Sequence, residues 1–209
     1  MLTKFKLVPI TKIEKKEYVG DVFDLTVNNS HSYCANNKIV HNSLCTTRIK
    51  TGCGIPTFQS IMDISGYMRT VGDPVGIIAD GGIKYSGDVV KCLAAGASAV
   101  MVGKLFAGTD ESPGSVIKAG DGGLYKIYRG SASYGDKKLR GEETNNIEGE
   151  ETLVPYSYEN VSDIIKDLKD GCRSGFSYCG AYNITELQER AEFTEITNSG
   201  YIESTPHGR

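Results

Sequence analysis

The tripeptide His41-Asn42-Ser43 constrains this chain more than any other feature, because the sequence changes character across it. Before it lie short runs rich in β-formers; after it begins an alternation of apolar strands, glycine loops and amphipathic helices. The tripeptide also carries a chemistry of its own. An Asn side-chain amide can close on its own backbone carbonyl and cleave the following peptide bond. A His beside it can protonate the leaving group near neutral pH, and a hydroxyl just downstream can accept an acyl group. Taken alone, three polar residues in a row read as a loop, so the weight falls on what flanks them.

Upstream, Asp21-Val22-Phe23-Asp24-Leu25-Thr26-Val27 alternates like a strand. Asn28-Asn29-Ser30 is a turn signal, His31 to Ala35 a second strand, Asn36-Asn37 another turn and Lys38-Ile39-Val40 a third strand. This β-meander, ending in His-Asn-Ser, resembles the C-terminal motifs of inteins. The resemblance implies that His31 assists Asn cyclisation, that His41 and Asn42 carry out the cleavage, and that Ser43 is the branch-point nucleophile. A structural, hydrogen-bonded turn histidine is the bland alternative for His31. No Thr-x-x-His element or N-terminal nucleophile precedes these motifs, and a segment this short does not fold readily alone. Residues 1–42 are therefore expected to be the C-terminal fragment of a split intein, whose N-terminal intein and extein partner is a separate chain. Within residues 1–20, Lys4, Lys6, Lys12, Lys15 and Lys16 outnumber Glu14 and Glu17. They form either a solvated surface or a patch that steers the fragment to an acidic partner.

Composition excludes several classes. A formal net charge of −3 over 209 residues suggests no nucleic-acid role. No apolar run approaches the roughly 20 residues of a membrane span, and the N-terminus lacks a signal-peptide core. The cysteines Cys34, Cys45, Cys53, Cys92, Cys172 and Cys179 form no Cys-x-x-Cys pair, which favours a reduced, cytoplasmic protein over a disulfide or zinc framework.

Downstream, Gly76-Ile77-Ile78-Ala79 reads as a buried strand followed by Asp80-Gly81-Gly82-Ile83. Ser86 to Ala95 reads as a helix with Ser86 as N-cap, Val89, Val90, Leu93 and Ala94 on its apolar face, and Gly96 at its end. Ser98 to Val102 is the next strand, closed by Gly103. This order is the βα rhythm of an α/β barrel. Glycines at strand ends either admit a phosphate to the backbone or simply permit tight turns.

Ser43-Leu44-Cys45-Thr46-Thr47-Arg48 and Ile78-Ala79-Asp80-Gly81-Gly82-Ile83 resemble segments of the inosine-5′-monophosphate dehydrogenase and guanosine-5′-monophosphate reductase family. So do Ser86-Gly87-Asp88, Val100-Met101-Val102-Gly103, Ala107-Gly108, Glu111-Ser112-Pro113-Gly114, Tyr128-Arg129-Gly130, Ser177 to Ala181 and Glu203 to His207. The resemblance implies that residues 43–209 are the C-terminal half of a (β/α)8 barrel of α/β class, with a flap at about 129–152. It implies Cys45 as nucleophile at purine C2 and Thr47 and Glu148 as proton relays. Asp80 would bind the ribose hydroxyls, Ser43, Gly81, Gly82, Gly103 and Tyr128 the 5′-phosphate, and Gly130 would also contact the substrate. It further implies a purine nucleoside monophosphate as substrate, NADP or NAD as cofactor and a homotetramer after splicing. A potassium ion would sit on the backbone carbonyls of Cys45, Glu203, Ser204 and Thr205. Lys104 departs from the family's usual Ser; it either adds a contact to the phosphate or faces solvent.

The direction of the reaction divides the family. Dehydrogenases hydrolyse the covalent adduct with help from a flap Arg-Tyr pair, and no Arg-Tyr dipeptide occurs in this chain. Gly130-Ser131-Ala132-Ser133 and the short charged insert resemble bacterial reductases, whereas Tyr-Arg-Gly and Glu-Ser-Thr-Pro-His resemble dehydrogenases. The sequence favours a GMP reductase over an IMP dehydrogenase. Non-catalytic splicing cargo, an engineered fusion and a flavin-type phosphate-binding barrel are weaker rivals, because Cys45 and Asp80 are present and no tag or foreign linker is.

Overall fold

The computed structural model describes residues 32–35, 38–41, 55–72, 75–130, 132–142, 144, 147 and 149–206. The strand expected at 21–27, together with His31, Asn42, Ser43, Cys45, Thr47 and Glu148, lies outside them.

A four-stranded sheet has the order β1-β2-β3-β4, with β1 at Ser32–Ala35, β2 at Lys38–His41, β3 at Gly76–Asp80 and β4 at Ala99–Met101. β1 and β2 are antiparallel, in register from Ser32↔His41 to Ala35↔Lys38; the turn expected at 36–37 lies outside the described residues. β2 then runs parallel to β3, with Lys38 opposite Gly76 and Ile39 opposite Ile77. The strand expected to belong to the meander alone thus joins the sheet of the downstream part. β3 and β4 are parallel, with Asp80 opposite Met101.

Helix α1 (Thr57–Val71) packs Ile61 and Ser65, one turn apart, toward this sheet and stops at Gly72, whose φ of 70° is left-handed. Helix α2 spans Ser86–Ala94. Its N-cap is Tyr85, one residue before the Ser86 expected from sequence, because the cap is made from inside the helix. Asp88 Oδ2 accepts hydrogen bonds from the backbone N–H groups of Lys84 and Tyr85, at 3.0 and 3.1 Å. At the other end, Gly96 (φ 119°) donates to the Leu93 carbonyl and Ala97 to that of Cys92. This is the paired bonding that ends helices at a left-handed glycine.

Helix α3 (Tyr134–Leu139) lies in the segment expected to be a flap, and helices α4 (Val161–Tyr178), α5 (Ile184–Arg190) and α6 (Asn198–Glu203) follow it. α2 and α4 approach closely because Gly171 and Gly175 carry no side chains. A Cβ at Gly171 would overlap Ser86 Oγ, and one at Gly175 would meet the Val90 methyls at 2.7 and 2.9 Å. The apolar core gathers Ile61, Ala79, Val89, Leu93, Phe176 and Leu187, of which Leu187 is fully buried. Burying a side chain of that size contributes roughly 1.5–3 kcal/mol. Gln188 completes the junction by donating from its amide to the carbonyls of Leu93 (3.1 Å) and Ala97 (3.4 Å).

A separate antiparallel sheet has the order β5-β6-β7, with β5 at Ile117–Lys118, β6 at Leu124–Arg129 and β7 at Glu151–Pro155. β6 and β7 are paired from Tyr125↔Pro155 to Arg129↔Glu151, so the residues between them, α3 included, leave and return at one place. Among the described residues, no helix is long and apolar enough to cross a membrane.

Candidate active site

Asp80 ends β3, and Gly81 and Gly82 follow with φ of 95° and 81°. Two consecutive left-handed residues turn the chain sharply off the strand, which only glycine does without strain. Nothing lies within 4 Å of a Cβ placed at Gly82. Backbone conformation, not crowding, is what requires glycine there.

Gly103, just beyond β4, is glycine for the opposite reason. Its φ of −113° suits any residue, but the Tyr128 hydroxyl occupies the space a Cβ would need. Tyr128 comes from β6, so this contact joins the two sheets. Burial, and then the charge of Asp80, pushes the Tyr128 phenol above its ordinary value. A phenol is protonated around neutral pH in any case, so this hydroxyl can donate a hydrogen bond to an anion. The structure thus brings Asp80, Gly103 and Tyr128 together at the ends of β3 and β4. Lys104, in the 3-10 turn Lys104–Phe106, is exposed to solvent.

A cleft of about 690 Å³ adjoins Gly81 and Gly82 and is lined also by Phe58, Asp88, Lys91 and Phe193. Phe193 crosses from the segment after α5 to meet Phe58 edge-on, with ring centroids 5.0 Å apart at 76°.

Gly130 is employed elsewhere. Its N–H donates to the Glu150 carbonyl at 2.9 Å and its carbonyl accepts from Ser133 N at 2.9 Å, closing the base of the flap. In this structure that N–H is committed to the flap and not offered to a ligand. Gly149 donates to the Ala132 carbonyl, and a Cβ there would run into the backbone of Ala132 and Ser133. Glu151 accepts from the backbone N–H of Gly135 and from Arg129. These contacts fix the residues on either side of the flap.

Glu203, Ser204 and Thr205 lie at the C-terminal end of α6. Ser204 and Thr205 turn their hydroxyls onto the carbonyls of Gly200 (2.7 Å) and Ile202 (2.6 Å). Among the described residues, no group of His, Cys, Asp and Glu side chains could hold a metal ion.

Sequence reasoning missed Lys126. It is 3% exposed, and its ammonium donates to the carbonyls of Thr109 (2.6 Å), Asp110 (3.4 Å) and Ser112 (2.7 Å). Its signal was present in the alternation Leu124-Tyr125-Lys126-Ile127-Tyr128, which puts Lys126 on the same face of β6 as Tyr128.

A family model for the IMP dehydrogenase / GMP reductase domain matches residues 39–207. The chain belongs to the IMP dehydrogenase / GMP reductase family. It is 45% identical over 177 residues to an inosine-5′-monophosphate dehydrogenase of Nitrosopumilus maritimus, covering 79% of this chain and 36% of that protein. It is 48% identical over 177 residues to one of Aquifex aeolicus, covering 79% and 35%. Among solved structures it resembles a Cys-to-Ala variant of Trypanosoma brucei GMP reductase in complex with guanosine 5′-monophosphate. That match has a TM-score of 0.72 and 38% identity, covering 79% of this chain and 34% of that one. The IMP dehydrogenase / GMP reductase fold is of TIM-barrel type, and this chain spans about a third of the length of the curated relatives it matches.

Proposed function

We propose that residues 43–209 form the substrate-holding part of an oxidoreductase acting on purine nucleoside monophosphates, and that its reaction is reduction of GMP by NADPH to IMP and ammonia. The observation that carries this reading is the Tyr128 hydroxyl seated on Gly103, with Asp80 at the neighbouring strand end. A phenol kept protonated beside bare backbone is a donor for a phosphate, and a carboxylate one strand away suits a ribose diol. The Cys45 thiolate would form a C–S bond at purine C2 while the 2-amino group leaves as ammonia, protonated through Thr47 and Glu148. A nicotinamide dinucleotide supplies or takes the hydride in this family. Among the described residues, Asp80 is the carboxylate ending a parallel strand, and it serves the purine nucleotide.

The absence of an Arg-Tyr pair to activate water favours the reductase. IMP dehydrogenation is the second reading, favoured by the names of the relatives at 45 and 48% identity. Absorbance at 340 nm separates the two in the complete enzyme. GMP should consume NADPH, and Cys45→Ala should abolish turnover while leaving nucleotide binding intact. NADH production from IMP with no NADPH consumption by GMP overturns the reductase reading and leaves the family standing.

We further infer that residues 1–42 act first, as the C-terminal part of a splicing element joined at Ser43 to a partner chain. The order His31, His41, Asn42, Ser43 supports this. On this reading β2, which pairs with β3, leaves with the splicing element, and a strand from the partner takes its place. Mixing the chain with a cognate N-terminal partner should release residues 1–42 and ligate residues 43–209, and Asn42→Ala should block the release. A ligated product that retains residues 38–41 would overturn the assignment.

A further inference from the structure

The contacts of Lys126 close a circuit through the candidate phosphate site. Gly103 offers its carbonyl to Phe106 N at 3.0 Å, and Phe106 offers its own to Thr109 N (3.2 Å) and Thr109 Oγ1 (2.8 Å). The Thr109 carbonyl accepts from Ser112 N at 3.3 Å and from Lys126 Nζ at 2.6 Å. From Lys126 the chain runs two residues along β6 to Tyr128, whose hydroxyl returns to Gly103. The turn 107–112 has further anchors. Tyr156 donates to the Asp110 carboxylate, Asp110 N to the Glu159 carbonyl, and Val161 N, in the first turn of α4, to the Glu111 carboxylate. The Asp110 and Glu111 carboxylates thus face Tyr156 and α4, and the acceptors around the Lys126 ammonium are backbone carbonyls, with the Tyr156 ring 5.5 Å away. A buried ammonium held by converging carbonyls performs the task of a bound cation, and leaving those acceptors without a donor is costly.

We propose that Lys126 is a positioning residue. It locks the turn 107–112 to β6 and thereby sets the distance between the Tyr128 hydroxyl and the Gly103 backbone on which 5′-phosphate affinity depends. This rests on the reading that Gly103 and Tyr128 hold the phosphate, and the test separates the two claims.

The complete enzyme is assayed with GMP and with guanosine, the same molecule without its phosphate. Lys126→Met should raise KM for GMP by about tenfold or more, the scale of one strong hydrogen bond, with a smaller change in kcat, and should leave guanosine affinity unchanged. Tyr128→Phe should do the same, and the double variant should be no worse than the worse single, because both changes act on one contact. If Tyr128→Phe leaves the preference for GMP over guanosine intact, the phosphate reading itself fails. If Tyr128→Phe removes that preference but Lys126→Met weakens GMP and guanosine alike, Lys126 is only structural and the proposal fails. Should Lys126→Met not fold, Tyr156→Leu removes the ring beside the ammonium and should give a smaller effect of the same kind. Additive effects of Tyr156→Leu and Tyr128→Phe on GMP KM would also overturn the proposal. Ethylammonium should partly restore GMP affinity to Lys126→Ala, and failure to restore it, with the variant folded, counts against the proposal.

Discussion

The α/β part and the flap are built by different forces. Around β3, helices α1, α2, α4 and α5 meet over a continuous apolar cluster in which Ala79 is 1% exposed and Leu187 0%. Among the described residues of the segment between β6 and β7 there is no such cluster. Its helix α3 contains no buried residue, Leu139 is 76% exposed, and what holds the segment is polar. Ser133 caps α3 by accepting from Asp136 N at 3.3 Å, Glu151 grips Gly135 and Arg129, and Gly130 and Gly149 bind across the base. Apolar burial resists opening over a wide area, whereas a few exposed hydrogen bonds open locally at small cost. The segment between β6 and β7 is therefore the part expected to open first, and the Asp80–Gly103–Tyr128 group sits where the two kinds of structure meet.

The sharpest way to break this contrast is to hollow the core. Leu187→Ala should lower global stability by about 2–5 kcal/mol, the range for deleting a buried leucine side chain. It should shift the urea midpoint of the α/β part while the flap amides exchange as before, up to the point of global unfolding. Equal loss of protection in α3 and α2 would mean that one cooperative unit includes both.

These two kinds of order were not equally legible in the sequence. The strand–glycine–helix–strand run from Gly76 to Gly103 follows from local rules, apart from small boundary shifts such as the cap at Tyr85. That shift arose because a carboxylate inside the helix, Asp88, does the capping. Asp80, Gly81 and Gly82 were readable because strand-end glycines have a local signature. The pairing of β2 with β3 was not, since Lys38-Ile39-Val40 shows a strand without showing its neighbour. Lys126 was missed because a lysine in an alternating strand ordinarily points to water, and the carbonyls that bury it come from residues 109–112, remote in sequence. Gly149 likewise gave no sign that the backbone of Ala132 and Ser133 lay against it.

A second test uses pH to act on the flap alone. The Glu151 carboxyl is held below the usual carboxylate range, first by the Gly135 N–H and then by Arg129 and Ser133. A depressed carboxylate stabilises above its unfolded-state value, about 4.3 for Glu, and that contribution is lost as pH falls through the lower folded-state value. Protection of the α3 amides should therefore decline from about pH 5 downward, before the α/β part responds. Glu151→Gln should start with weaker protection and show a flatter pH dependence. Protection of α3 that holds until the whole chain unfolds would show that the flap does not hang on this carboxylate.

The smallest expected effect sharpens the comparison most finely. Arg140, at the end of α3, pairs with Asp136 at 3.2 Å and with Glu142, and all of these side chains are at least 35% exposed. Water and salt screen such pairs, and holding two long side chains in one geometry offsets much of the Coulomb gain. A cation near a helix C-terminus is favourable, but only slightly at an exposed site. Arg140→Ala should leave the melting temperature unchanged and speed α3 amide exchange by less than about twofold, a difference that disappears in high salt. The contrast with Glu151 is one of acceptor geometry. Glu151 takes a backbone N–H that α3 would otherwise leave unpaired at its first turn, while Arg140 pairs with the exposed side chains of Asp136 and Glu142. If Arg140→Ala weakened α3 protection as much as Glu151→Gln is expected to, the segment would be held by its surface charges and not by its backbone anchors.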